Sequence, residues 1–233
     1  PWDELLVSGV QVWHARAYCS AAQSAGLVPI VREKHPYYYV DLADLRKRGV
    51  EYIDTLSNNT RYQIRRSRRL YESRGDVVLL IASTLFEALE FFEELKRLHQ
   101  SSWQSRGKPG AFATRRMSAF HDTLIRECFG DGSIQLVKIS AAGRPVGYLY
   151  NFVLGGRVSN YQTAFAYETN SHLKPGLVSH TLAIEHAYAN GSDVYDFLMG
   201  EHRYKRSMAK NSESMVWLSL SRGTWRLRMR MFA

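Results

Sequence analysis

The tripeptide Lys174-Pro175-Gly176 has the residue types of an anion site at the start of a helix. The first turn of a helix leaves backbone N–H groups free, and the helix dipole favours negative charge there. Proline fits the first helical position, glycine permits close approach of a ligand, and lysine adds positive charge. The tripeptide therefore predicts a site for phosphate or another anion. An ordinary capped helix start without a ligand is the alternative.

A second group of cations lies in the arginine-rich segment 61–74. Arg65, Arg68 and Arg69 share one helical face through their i, i+3 and i+4 spacing, and Arg61 extends that face by one turn. Such a stripe can bind a phosphorylated cofactor, a phosphorylated or sugar-nucleotide acceptor, or an acidic carrier protein. A solvated basic face is the alternative. We take Arg65 and Arg69 as candidate substrate-binding residues.

Several classes of site find no support in the sequence. It has no Walker loop, Rossmann glycine fingerprint, HExxH motif or GxSxG nucleophile elbow. His180 and His186 are six positions apart and do not share a helical face, so we predict no metal site. Cys19 and Cys128 are too few and too distant for a disulfide framework, and neither has a recognisable nucleophile setting.

The composition is that of a folded chain with a sizeable core, with 233 residues of which 45% are hydrophobic. The net charge of +9 predicts an acidic partner, such as nucleic acid, a phosphorylated cofactor or an anionic surface. The longest mainly apolar stretch, 77–86, is too short to span a membrane. Asp3 and Glu4 do not fit a signal peptide, and the cysteine usage fits a reducing compartment. We therefore expect a soluble, cytoplasmic protein.

Apolar periodicity and turn residues predict alternating strands and helices. Segments 44–49 and 101–114 are predicted as a break and a loop, and 200–211 as a polar turn before the last strand and a basic tail. The three strands from 134 to 165 are joined by glycine turns and form an antiparallel meander. The predicted helices are 52–73, 83–98, 117–130 and 173–190, and the predicted strands are 37–42, 76–82, 134–139, 145–154, 158–165, 194–198 and 215–220.

The segment after the last predicted helix carries a family signature. Tyr195-Asp196-Phe197-Leu198, followed by Gly200 and Tyr204-Lys205, resembles the motif of Fem-like, BioF-like (CelD-like) acyltransferases of the GNAT superfamily. The resemblance implies an α/β GNAT fold, with a mixed, twisted sheet flanked by helices. It covers residues 37–233, and 1–36 are then the remnant of a preceding region or half-domain. Other matching residues are Leu56-Ser57, 61–75, Leu98-His99, Trp103, Arg106-Gly107, 143–147 and Pro175-Gly176.

The resemblance also implies where the acyl donor binds. In the GNAT family the pyrophosphate of acyl-CoA lies on a loop rich in Arg or Gln and Gly at the start of the helix that follows the meander. That loop is reduced here to Lys174, Pro175, Gly176 and Leu177. The donor we expect is an acyl-CoA or acyl-carrier-protein thioester, used as a co-substrate with no permanently bound cofactor. The tRNA-dependent Fem enzymes share the fold, so an aminoacyl-tRNA donor is the alternative.

Acyl transfer defines roles for the motif residues. It needs a group that stabilises charge on the tetrahedral intermediate and an acid for the leaving thiolate. Lys205 suits the first role or the positioning of phosphate, and Tyr204 suits the second; simple packing of both residues is the alternative. Asp196 either pairs with Lys205 or Arg206, which is structural, or holds the amine of the acceptor.

The remaining predicted site residues concern the acceptor, an amine or hydroxyl compound of saccharide or amino-acid type. Tyr161 and Gln162 lie where the resemblance places the pantetheine of the donor, and their side chains can line the acceptor pocket. Two residues of the sheet surface without a ligand are the alternative. Trp103 and Glu201 are further candidates, and His202 is a candidate base beside Glu201. A non-enzymatic nucleic-acid-binding protein explains the basic charge, yet it does not explain the Tyr195 to Lys205 motif.

Overall fold

A computed structural model describes residues 2–222 of the chain. They form two compact units. The larger unit contains residues 39–198 and 203–210, and the smaller one contains the chain up to Tyr38, residues 199–202 and the chain from Asn211 onward. No helix within residues 2–222 is long and apolar enough to cross a membrane.

The elements alternate along the chain much as predicted, and they confirm the α/β class. A short 3-10 helix at Tyr52–Thr55 precedes the arginine-rich helix. The described helices are α1 (Val12–Ser24), α2 (Leu42–Arg48), α3 (Asn58–Glu72), α4 (Leu85–Gln104), α5 (Arg115–Cys128), α6 (Pro175–Ala189) and α7 (Arg203–Met208). The strands are β1 (Glu4–Gln11), β2 (Leu27–Asp41), β3 (Val77–Ile81), β4 (Ile134–Ala141), β5 (Arg144–Leu154), β6 (Arg157–Phe165), β7 (Val194–Met199) and β8 (Asn211–Arg222).

The larger unit is built on strands in the order β7-β6-β5-β4-β3. Strands β3 to β6 pair antiparallel, as the predicted meander requires, and β6 pairs parallel with β7. Helix α6 joins β6 to β7, because a parallel pair needs a crossover connection. The β6 to β7 pairing covers only three positions, from Arg157 opposite Val194 to Ser159 opposite Asp196.

Helices cover both faces of this sheet. Tyr148 and Tyr150 of β5 pack with Phe92 of α4 in one core cluster. Gly147 faces the other way, because its missing Cβ would lie only 2.9 Å from the Ser179 Oγ of α6. Glycine at position 147 therefore allows α6 to lie close to β5.

Side-chain caps set several helix starts. The Ser57 hydroxyl accepts from the Thr60 amide, so α3 begins later than the predicted start at residue 52. Thr84 and Glu87 form a capping box at the start of α4. The predictions missed two short helices, α2 in the supposed break and α7 in the supposed polar turn. Both are rich in charged residues and show little apolar periodicity.

The smaller unit contains elements that the sequence reading did not assign. Strand β1 pairs antiparallel with β8, and α1 packs Ala15 and Ala22 against apolar residues of β8, such as Leu218. Strand β8 is longer than the predicted strand 215–220. The basic tail lies outside the described residues.

Candidate active site

The start of α6 is fixed by contacts to two neighbouring elements. Lys174 is the N-cap residue, and its backbone N–H donates to the hydroxyl of buried Ser67 on α3 over 2.8 Å. Pro175 occupies the first turn as predicted. A Cβ on Gly176 would lie 3.1 Å from the Phe165 ring, so this glycine serves the packing of α6 on β6. The helix start is thus rigidly placed.

A cavity of about 380 Å³ opens at this helix start. It contains two of the predicted donor-binding residues, Lys174 and Leu177, together with the predicted acid Tyr204. The other predicted site residues are absent from its wall. The full lining is Asn59, Thr60, Gln63, Lys174, Leu177, Arg203, Tyr204 and Ser207.

The electrostatics of the cavity favour an anion. Lys174 and Arg203 are both in the wall, and neither makes an ion pair with a described residue. The wall has no carboxylate. Two uncompensated cations in a concave site attract phosphate or carboxylate groups. Leu177 contributes the apolar part of the wall.

Lys205 follows the cavity residue Tyr204 in α7, and it is itself buried. The residue is 6% exposed, and its Nζ donates to the carbonyl oxygen of Leu198 over 3.3 Å. Burial lowers the pKa of Lys205 to about 8, while the negative charge of Asp196 opposes that shift. Leu198 has a positive φ of 58°, an uncommon conformation for a non-glycine residue. A buried lysine with a lowered pKa beside a strained residue is typical of functional sites.

Asp196 holds this region together. Its Oδ2 accepts from Nη1 of Arg157 over 2.7 Å, and its Oδ1 accepts from the Leu198 amide over 2.7 Å. Burial raises the pKa of Asp196, partly offset by the Leu198 bond and the charge of Arg157. The ion pair with Arg157 on β6 was not among the predicted partners. Both oxygens of the carboxylate are engaged, which favours the structural role of Asp196.

Tyr204 lies against a neutral histidine. Its ring stacks on His180 of α6 with 5.5 Å between ring centroids and 16° between planes, and it meets Phe197 edge-on. Burial raises the pKa of Tyr204 to about 12, so the phenol keeps its proton at neutral pH. Burial also lowers the pKa of His180 to about 3. His180 Nδ1 lies 3.1 Å from the Tyr195 hydroxyl, and its buried Nε2 has no described partner.

The predicted acceptor residues of β6 lie apart from the cavity. The Tyr161 hydroxyl lies 3.1 Å from Nε2 of His121, in the aromatic cluster between the sheet and helices α4 and α5. Gln162 pairs in register with Tyr150 and is half-buried. The register of β5 and β6 shifts between Gln162 and Asn160, so Tyr161 is the extra residue of a β-bulge and the regular alternation of side chains is interrupted there.

The other predicted substrate-binding residues are dispersed. The Trp103 ring is 5.6 Å from the ring of His99 at the end of α4. Arg65 and Arg69 are both exposed on α3, and neither lines the cavity. Glu201 is exposed and belongs to the smaller unit.

Sequence comparison identifies the family. The family model described as an acetyltransferase (GNAT) domain matches residues 58–206, more than half of the chain. The chain belongs to the GNAT acetyltransferase family. It therefore contains an acyltransferase-type domain, and that match includes every residue of the cavity wall except Ser207. No sequence among the curated proteins matches the chain.

Solved structures agree on the fold. FemX superposes with a TM-score of 0.66 at 11% identity, over 95% of this chain and 72% of FemX. L-PGS from Bacillus licheniformis superposes with a TM-score of 0.62 at 13% identity, over 97% of this chain and 71% of L-PGS. A conserved protein of unknown function from Bacteroides thetaiotaomicron superposes with a TM-score of 0.63 at 11% identity, over 94% of this chain and 69% of that protein. The similarity to FemX confirms the fold that the resemblance implies.

Several site residues were missed by the sequence reading. Asn59 and Ser207 line the cavity but belong to no motif, and Gln63 lies in the matching segment 61–75 without a role that its residue type indicates. Arg203 sits directly before the Tyr204-Lys205 pair, which is the one signal that could have drawn attention to it.

Proposed function

We propose that this GNAT domain transfers an acyl group from an acyl-CoA or acyl-carrier-protein thioester directly to an amine or hydroxyl acceptor. The observation that carries the proposal is the cavity, which contains Lys174, Leu177 and Tyr204 within about 380 Å³. The residues expected to hold the donor and the residue expected to protonate its thiolate therefore share one concave site.

The proposed donor lies at the start of α6. The first-turn amides of Gly176 and Leu177 make no backbone hydrogen bond to a described residue, so they remain available to a pyrophosphate. Lys174 adds positive charge at the same point. From Asn160 onward, β6 has no partner on β7 within residues 2–222, which leaves a strand edge for the pantetheine arm.

The proposed chemistry is a direct displacement. The neutral acceptor attacks the thioester carbonyl, the new C–N or C–O bond forms, and the C–S bond breaks to release the thiol. Tyr204 gives its phenolic proton to the departing thiolate and regains a proton from the acceptor. The Lys205 ammonium stabilises the negative charge that develops on the carbonyl oxygen. Asp196 positions Lys205 through Leu198, since both residues bond to Leu198.

Aminoacyl transfer from tRNA is the second candidate. It is favoured by the fold that this chain shares with FemX. The cations of the cavity suit the phosphates of an RNA end as well as those of CoA.

Isothermal titration tests the proposed donor. The chain is titrated with acetyl-CoA, a longer acyl-CoA and a labelled tRNA at physiological salt. We expect saturable binding of the thioesters. The ratio of the two acyl-CoA affinities would show which acyl-chain length the site prefers. Binding of tRNA without any binding of CoA would favour aminoacyl transfer, and binding of neither would contradict both donors and leave the carrier-protein thioester to be tested.

A further inference from the structure

The cavity wall offers polar groups that no described residue engages. The side-chain amides of Asn59 and Gln63 make no hydrogen bond to residues 2–222, and the cations of Lys174 and Arg203 make no ion pair there. The wall hydroxyls differ in this respect. The Thr60 hydroxyl is 2.9 Å from that of Ser57, and the Ser207 hydroxyl donates to the carbonyl oxygen of Tyr204. The unengaged groups are thus two amides and two cations.

The amides form a pair on one helical face. Asn59 and Gln63 are four residues apart on α3, so they are neighbours on its surface, and both border the same cavity. A carboxamide presents a donor and an acceptor side by side. This pattern complements the N6 amino group and N7 of adenine, which asparagine and glutamine bind in bidentate fashion. The nearby cations suit phosphate.

We infer that Asn59 and Gln63 recognise the adenine of an adenosine phosphate whose phosphates pair with Lys174 and Arg203. The inference rests on the proposed function, which places the donor at Lys174, and it narrows the choice of donor. Both the nucleotide end of CoA and the 3′-terminal adenosine of a charged tRNA carry this group. The phosphopantetheine arm of a carrier protein lacks it. The donor is therefore a nucleotide-bearing one.

The test separates the base from the rest of the donor. Isothermal titration compares CoA, adenosine 3′,5′-bisphosphate, 4′-phosphopantetheine and a short RNA ending in CCA. We expect the N59A/Q63A double variant to bind CoA and adenosine 3′,5′-bisphosphate roughly tenfold or more weakly than the original chain. Binding of 4′-phosphopantetheine, which has no base, should not change.

The control is Asn58→Ala. Asn58 is the preceding residue on α3, it is exposed, and its side chain bonds to Arg61 outside the cavity. This variant removes the same type of amide and should bind all four probes as the original chain does. Equal melting temperatures of the variants would exclude a folding defect.

The outcomes separate this inference from the proposed function. Equal affinities of the original chain for CoA and 4′-phosphopantetheine, or unchanged CoA binding by N59A/Q63A, would overturn adenine recognition while leaving the thioester donor intact. RNA binding that depends on Asn59 and Gln63, without CoA binding, would support the adenosine site and identify tRNA as its source. Binding of none of the probes would overturn the adenosine site and leave only the carrier-protein thioester of the proposed function.

Discussion

Lys205 combines burial with a charge that is easily lost. Its ammonium is removed from water and has the Leu198 carbonyl as an acceptor, and its pKa of about 8 lies near neutrality. The cost of burying the charge is reduced by the nearby carboxylate of Asp196. Such a lysine can stabilise an oxyanion without being fully solvated, which is the role proposed for it.

Replacing Lys205 by alanine should lower turnover more than it weakens donor binding. Loss of one group that stabilises an oxyanion typically lowers kcat by about 10² to 10³. The measurement is steady-state kinetics beside donor titration, with Lys205→Met as a second variant that keeps the side-chain length in this buried position. If a folded variant keeps its turnover, the catalytic role of Lys205 is wrong.

His180 makes stability depend on pH. Its pKa falls from 6.5 to about 3 on burial, so below pH 6.5 the unfolded chain takes up a proton that the folded chain does not. The free energy of unfolding should therefore fall as the pH drops from about 6.5 towards 3. Between pH 7 and 4.5, the His180 contribution amounts to roughly 2 to 3 kcal/mol.

Urea unfolding of His180→Phe at both pH values measures this contribution. We expect the variant to lose less stability than the original chain between pH 7 and 4.5, because phenylalanine binds no proton. His172→Phe, at an exposed position, serves as the control and should keep the original pH dependence. An unchanged pH dependence in His180→Phe would contradict the neutral state assigned to this histidine.

The two ends of helix α6 contact different parts of the larger unit. Its N-terminal end borders the cavity at Lys174 and Leu177. At its C-terminal end, Arg46 of α2 donates to the carbonyl oxygens of Tyr188 and Gly191. Fifteen residues of helix separate these ends by about 22 Å. Charge changes at one end should therefore have little direct effect at the other.

Replacing Lys174 by glutamate should weaken donor binding by roughly fivefold or more, because it places negative charge where phosphate is expected. Titration of acyl-CoA measures the effect. Lys47→Glu on α2 makes the same change in net charge near the far end of α6 and is the matched control. If both variants bind the donor equally well, the pyrophosphate is not at Lys174.

At the scale of the whole molecule, the net charge of +9 should produce weak, salt-dependent RNA binding. Arg65 and Arg69 lie on α3 without an ion pair to a described residue. Replacing both by glutamine should therefore lower the slope of log K against log salt by about 1 to 2, since each arginine that neutralises a phosphate contributes about 0.7 to 0.9.

Filter binding to RNA over a range of salt concentrations measures that slope. The double variant Arg115→Gln/Arg116→Gln removes the same charge from exposed positions on α5 and serves as the control. An equal change of slope in both variants would assign RNA binding to overall charge and not to the stripe on α3. CoA binding should be unchanged in both, because none of these arginines lines the cavity.

Local residue patterns alone predict the α/β class, the meander and the start of α6. Alternating apolar residues and glycine turns specify strands locally, and Pro175 after a polar loop specifies a helix start locally. The motif from Tyr195 to Lys205 was likewise sufficient to indicate the GNAT family, which the family match confirms. These features depend on residues that are close in the chain.

The side chains that meet in the site are set by long-range packing. Asn59 and Lys174 are separated by more than a hundred residues, yet both border one cavity, because α3 and α6 pack together through Ser67. Arg157, not a residue of α7, proved to hold Asp196 in the ion pair described above, since β6 and β7 are adjacent. Such contacts depend on the packing of distant elements, for which local residue patterns carry no signal.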